Sequence, residues 1–157
     1  MRLPRIRAFV AAAVVGAAVL LPHPQDLATQ DWELEPSYGG VDLTTAFDPN
    51  PLVVRLVAGG RQPLDRLGFR GHVADTPDFE VFYQAGRRTL VFSVGDAQGD
   101  TVMLIRGPDD TYYYNDDAVG RNPVIRFENP ETGWYTVWVG TFGTRLVRAT
   151  LEISHEG

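Results

Sequence analysis

Ten short runs rich in Val, Ile, Phe, Tyr and Thr recur between residues 41 and 154, and turn residues separate nearly all of them. They are VDLTTAF (41–47), LVVRLVA (52–58), GHVA (71–74), FEVFYQ (79–84), TLVFSV (89–94), TVMLIRG (101–107), TYYYN (111–115), VIRFE (124–128), WYTVWVGTF (134–142) and LVRATLEIS (146–154). The breaks are strong: Asp48-Pro49-Asn50-Pro51, Gly59-Gly60, Ala85-Gly86, Asp96 to Gly99, Gly107-Pro108-Asp109-Asp110 and Asn129 to Gly133. Each supplies a fixed proline torsion, tolerance of positive φ, or a side chain that bonds its own backbone. Such spacing leaves room for helix only around Arg61 to Leu67, and there for no more than two turns. Strands this short and evenly spaced predict an antiparallel two-sheet sandwich or barrel, not βαβ units; a sandwich is the reading adopted.

Period two also assigns faces. In the last segment Arg145, Val147, Ala149, Leu151 and Ile153 share one side, mainly apolar, and Leu146, Arg148, Thr150 and Glu152 the other, mainly polar. The first set suits a core and the second a wet face. In the preceding run Tyr135, Val137 and Val139 part from Trp134, Thr136 and Trp138.

The amino terminus has a different character. Arg2, Arg5 and Arg7 precede an unbroken apolar run from Ala8 to Leu21. A basic start and an apolar stretch of that length form the pattern of a secretory signal, with cleavage near Ala28 disfavoured by Asp26. As a helix the run falls short of the roughly 20 residues that span a bilayer, so an uncleaved anchor is the secondary reading. Residues 1–30 are therefore assigned to signal and leader, 31–39 to a short polar linker, and 40–157 to one domain. The expected location is exported, periplasmic or secreted, with membrane contact only through an uncleaved signal. The chain has no cysteine, so packing alone must hold a domain that the compartment would have allowed disulfides.

Charge narrows the partners. All 14 cations of the 157-residue chain are Arg, against 20 acids. Without residues 1–30 the balance is 11 against 19, a net charge of −8. Such a surface repels phosphate backbones, so no nucleic-acid partner is expected.

Residues 99–142 carry a series of motifs in order: Gly99-Asp100-Thr101, Gly107-Pro108-Asp109, Asn115-Asp116-Asp117, Asn122-Pro123, Gly133, Tyr135 and Trp138-Val139-Gly140. Together they resemble the pre-peptidase C-terminal domain family, in its stand-alone envelope form. Leu67 to Gly71 and Ala74 to Phe79 resemble what precedes that core in such relatives. The resemblance implies an exported, jelly-roll-like accessory module without catalysis. It also implies that Phe69 and Tyr114 occupy positions that are commonly Cys in relatives, hence neighbours in space. Some members bind calcium.

Catalytic constellations are poorly supplied. Beyond residue 30 there are three serines, Ser37, Ser93 and Ser154, and two histidines, His72 and His155, with no Gly-x-Ser-x-Gly elbow. Asp109-Asp110 and Asp116-Asp117 are adjacent acids, and adjacent residues point apart where a glycosidase needs carboxylates facing across a cleft. No Gly-rich loop opens a helix. The loop from Asn115 to Asn122 admits two readings. With Asp100 or Asp109 from nearby turns, Asp116, Asp117 and Asn122 offer hard oxygens suited to Ca²⁺. Alternatively Asn115 and Asp116 bond their own backbone, Asn122 positions Pro123, and Arg121 neutralises the acids. No other cofactor is expected.

Aromatic residues give the other candidate. Tyr112, Tyr113, Trp134 and Trp138, on one face, would make a stacking platform; otherwise they fill the core or cover a sheet edge. The expected function is thus a non-catalytic module that binds an envelope protein, a peptide or a glycan. The alternative is a hydrolase of envelope polymers using acidic residues.

Overall fold

A computed structural model describes residues 31–157; the expected signal segment lies outside the described residues. The strands are β1 (Gly40–Thr44), β2 (Leu52–Ala58), β3 (Gln62–Pro63), β4 (His72–Val73), β5 (Phe79–Gln84), β6 (Thr89–Gly95), β7 (Thr101–Arg106), β8 (Tyr112–Asn115), β9 (Val124–Phe127), β10 (Gly133–Thr141) and β11 (Val147–Glu156). Among the described residues the helical content is a single 3-10 turn, Asp65–Leu67, inside the stretch that allowed one. Two sheets pack as a sandwich. The smaller has the order β2-β11-β6-β9. In the larger, β10 lies between β5 and β7, β1 flanks β5, and β8 flanks β7. Where β5 ends, β4 takes up the edge of β10 through the pair Thr141–His72, and β3 pairs with β4.

All pairings are antiparallel except β1 with β5, which is parallel. This departs from the fully antiparallel expectation for a topological reason. Between those strands the chain crosses to the other sheet as β2, returns through β3 and β4, and so re-enters in its original direction; parallel neighbours require such a crossover. The segment 31–39 also differs from a free linker. The backbone N–H groups of Asp31, Ser37 and Tyr38 donate to the carbonyls of Asp75, Pro77 and Asp78.

The face assignments drawn from period two hold for the inner layer. Val147, Ala149, Leu151 and Ile153 of β11 are buried with Leu90, Phe92 and Val94 of β6 and Val81 and Tyr83 of β5. Tyr135 sits at the centre of this layer, its ring edge-on to Phe127 at 4.9 Å and tilted against Phe92 at 5.9 Å. Its hydroxyl donates to the Glu131 carbonyl at 3.0 Å and accepts the Glu131 N–H at 3.1 Å, which anchors the start of β10. Burial pushes this phenol up to about 12.

The strand β10 is buried on both faces from Tyr135 to Thr141. On the side away from the main core, Trp138, Val102 and Leu104 form a second, smaller core with Leu64 and Val73 of the chain between β2 and β5. Phe69 and Tyr114 close it, their rings stacked at 4.6 Å and 7°. The neighbourhood that the family resemblance implies for these positions is therefore present, as stacked rings. The Tyr114 hydroxyl donates to the Arg70 carbonyl at 2.8 Å. Close approach of β4 to β10 requires Gly140, where a Cβ would lie 2.3 Å from the His72 carbonyl oxygen. Because that obstacle is backbone, Gly140→Ala should lower stability by about 2 kcal/mol, read as a reduced urea midpoint with unchanged slope.

Where β5 gives way to β4, a side chain replaces a missing ladder partner. Asp78 is 3% exposed, and its Oδ2 accepts the Val139 N–H at 2.7 Å. Burial raises its pKa from 3.8 to about 7, opposed in part by that hydrogen bond. The folded state therefore holds this proton where the unfolded chain has lost it. Stability from this group is complete below about pH 4, declines between pH 4 and 7, and is constant above. Asp78→Asn keeps an acceptor oxygen but does not titrate. Across that window the stability of the variant relative to the native chain should rise by about 1.4 kcal/mol per pH unit, measured by urea unfolding.

Candidate functional site

The register of the larger sheet arranges its outward side chains in rows. The first runs Asp42, Phe82, Trp134, from β1 through β5 to β10. The second runs Gly40, Glu80, Thr136, Arg106, Tyr112, from β1 to β8. The third is Trp138, Leu104, Tyr114. The third row lies beneath the chain of residues 64–73 and forms the small core; the first is open. Trp134 is 52% exposed and packs edge-on against Phe82 at 5.2 Å. In the second row Arg106 pairs with Asp110 and lies 4.0 Å from the centre of the Trp32 ring. Trp32 is itself well exposed. Glu80 Oε1 accepts the Thr136 hydroxyl at 3.4 Å.

Beside Trp134 a cavity of about 390 Å³ is lined by Glu35, Asp42 and Glu80 together with Pro36, Gly40 and Val41. Three acidic residues and an accessible indole thus line one cavity at this end of the sheet. The indole offers an apolar face of defined shape, and the carboxylates offer acceptors to hydroxyl or amino donors. No side chain of this cavity brings a cation.

The sequence candidates divide. Trp134 and Tyr112 share the outward face, and Trp134 is accessible. Tyr112 is half-buried against Trp138, the centroids 6.4 Å apart. Trp138 is on the expected face but wholly buried, because residues 64–73 fold over it, and its indole N–H has no partner. Tyr113 points to the opposite side, its ring 4.8 Å from Phe127 and its hydroxyl donating to Asp109 Oδ2 at 2.8 Å. The four therefore do not make one platform. Consecutive strand residues alternate in direction, so Tyr112 and Tyr113 cannot share a face.

The calcium candidates are also divided. Asp109 lies in the β7–β8 turn, at the opposite end of β8 from Asp116, Asp117 and Asn122. It already accepts from Tyr113 and from the Thr111 N–H. Burial works to raise its pKa, but those hydrogen bonds outweigh it and hold the carboxyl lower. Near Asp100 the loop is shaped by its own bonds. Asn115 Oδ1 accepts the Val124 N–H, Asn122 pairs with Val119, and Asn122 Oδ1 accepts the Thr101 hydroxyl at 3.4 Å. Among the described residues no three His, Asp or Glu side chains gather to hold a metal ion. Of the turn reading, the Asn115 side chain bonds backbone, though at Val124 nine residues on and not within its own turn.

Neither family models nor curated proteins match the chain. No helix among the described residues is long and apolar enough to cross a membrane.

Sequence reasoning missed Phe82, Asp42 and Glu80. Period two places Phe82 outward, but only the register of β1, β5 and β10 brings these residues to Trp134. The two sheet tryptophans should separate clearly in stability. Trp138→Ala should cost about 3–5 kcal/mol, as for a large side chain removed from a core. Trp134→Ala should cost less than about 1 kcal/mol, both measured by chemical denaturation.

Proposed function

We propose that the protein is a non-catalytic, exported β-sandwich module of the pre-peptidase C-terminal type, and that it binds a glycan on the outer face of its larger sheet. The observation that carries this is Trp134, half exposed yet held edge-on by its cross-strand neighbour Phe82, at the rim of the cavity that Asp42 and Glu80 line. A sugar ring pairs an apolar face with a rim of hydroxyl donors. The flat indole receives the face, and the carboxylates accept from the rim. The cavity volume lies at the lower end of the usual range for small-ligand sites, roughly 300–1,000 Å³. Stacked rings at positions 69 and 114 support the family reading, since relatives commonly join those positions by cysteines. Export rests on the basic start and apolar run of residues 2–21.

Glycan-array screening of the full chain, followed by calorimetry on the best ligand, tests the proposal. Trp134→Ala should weaken binding at least tenfold while the circular dichroism spectrum and melting temperature stay near native. Glu80→Gln and Asp42→Asn should each weaken it several-fold, the scale of one charge-assisted hydrogen bond. Binding that survives Trp134→Ala, or a blank array, would overturn the site. New reducing ends released from the bound glycan would instead establish the hydrolase reading.

A further inference from the structure

A second cleft lies on the other sheet, away from the Trp134 face. It has a volume of about 360 Å³, and Tyr38, Arg55, Asp96, Arg148 and Thr150 supply its polar groups. The register explains how they meet. Thr150 of β11 sits between Arg55 on β2 and Gly95 on β6, and Arg148 lies two residues earlier on the same outward face. Arg55 and Arg148 are therefore diagonal neighbours across the β2–β11 pair, with Cα atoms about 7–8 Å apart by the usual sheet geometry.

Three features mark this as more than an ordinary wet face. The first is Thr150, which is 7% exposed and whose Oγ1 is buried without a hydrogen-bond partner. A buried hydroxyl without a partner costs stability on the order of 1–3 kcal/mol, so such groups call for an explanation. The second is the pair of arginines. Residues 31–157 hold 19 acids to 11 arginines, yet neither Arg55 nor Arg148 has an ion-pair partner within 4.0 Å among the described residues. The third is Tyr38, whose hydroxyl oxygen accepts the Val57 N–H at 2.9 Å and keeps its own proton for another acceptor. Two arginines and two hydroxyl-bearing residues thus line one cleft. The opposing groups are Asp96, at the rim on a positive-φ turn with φ of 47°, and Glu152, whose Oε1 lies with Thr150 Oγ1 over Gly95.

We propose that this cleft binds a tetrahedral oxyanion, a phosphate or sulfate group carried by a small ligand. Such a group presents three or four acceptor oxygens to these four residues, and two planar guanidinium forks suit it better than a single carboxylate would. The negative charge of the whole protein does not forbid this. At physiological ionic strength charges more than about 8 Å away are largely screened, so the local potential is set by the two arginines with Asp96 and Glu152 opposing them. The proposal is independent of the glycan reading, because it uses the opposite sheet and none of the same residues.

Titration of the ¹⁵N-labelled full chain with inorganic phosphate, sulfate and acetate, at constant ionic strength, tests it. Phosphate and sulfate should shift the amide signals of residues 55, 96 and 148–150 along saturable curves, with acetate at least fivefold weaker. Arg55→Gln and Arg148→Gln should each weaken phosphate binding at least tenfold. Thr150→Val removes the partnerless hydroxyl at nearly constant volume. It should leave the melting temperature unchanged or higher while weakening phosphate at least threefold, an outcome a purely structural threonine would not give. Shifts that do not saturate, that persist in both arginine variants, or that acetate matches would overturn the proposal. If phosphate and sulfate differ by more than tenfold, the tighter one identifies the ester the cleft takes.

Discussion

The architecture depends on one strand being covered on both faces. From Tyr135 to Thr141 no residue of β10 reaches solvent appreciably. Tyr135, Val137 and Val139 enter the space between the sheets, and Trp138 enters a separate core roofed by the chain between β2 and β5. A strand in this position satisfies its backbone only if neighbours on both sides are complete, since unpaired buried polar groups are costly. That is why a buried carboxyl, Asp78, stands in for a ladder carbonyl opposite Val139. It is also why a glycine is needed where β4 closes in. The cost of burying Asp78 and the loss of a side chain at Gly140 both follow from placing a second layer over half of the sheet.

The same half-coverage sets where binding can occur. At the Trp138 end the outer face is sealed by Leu64, Val73 and the stacked pair Phe69 and Tyr114. At the Trp134 end only residues 35–41 approach, and they leave a cavity. Two tryptophans four residues apart on one strand thus serve opposite purposes, one as packing and one as accessible surface.

Much of the fold was legible in the sequence because period two is a direct imprint of strand geometry. Val147, Ala149, Leu151 and Ile153 announce their burial, and the Gly- and Pro-rich breaks mark the strand ends. What failed to show is what depends on pairing between distant segments. Nothing in VDLTTAF distinguishes a parallel from an antiparallel edge. Trp138 has the same phase as Trp134, and only the path of residues 64–73 makes one a core residue. Tyr112 and Tyr113 are the opposite case, since alternation alone separates their faces whatever the register. Thr150 was legible as outward-facing, but its near-complete burial shows only in the folded sheet, where it lies between Arg55 of β2 and Gly95 of β6.

The order of the strands has a further consequence for how the chain comes together. Each sheet takes a central member from late in the sequence: β10 joins β5 to β7, and β11 joins β2 to β6. As the chain emerges from a ribosome, β1, β2, β5, β6 and β7 appear before the strands that would unite them. Neither sheet then has a complete centre until residues 133–156 have followed. Pairings so distant in sequence are slow to form, and early segments stay extended and available meanwhile. A polypeptide built this way commits to its shape late, once its last two strands have been made.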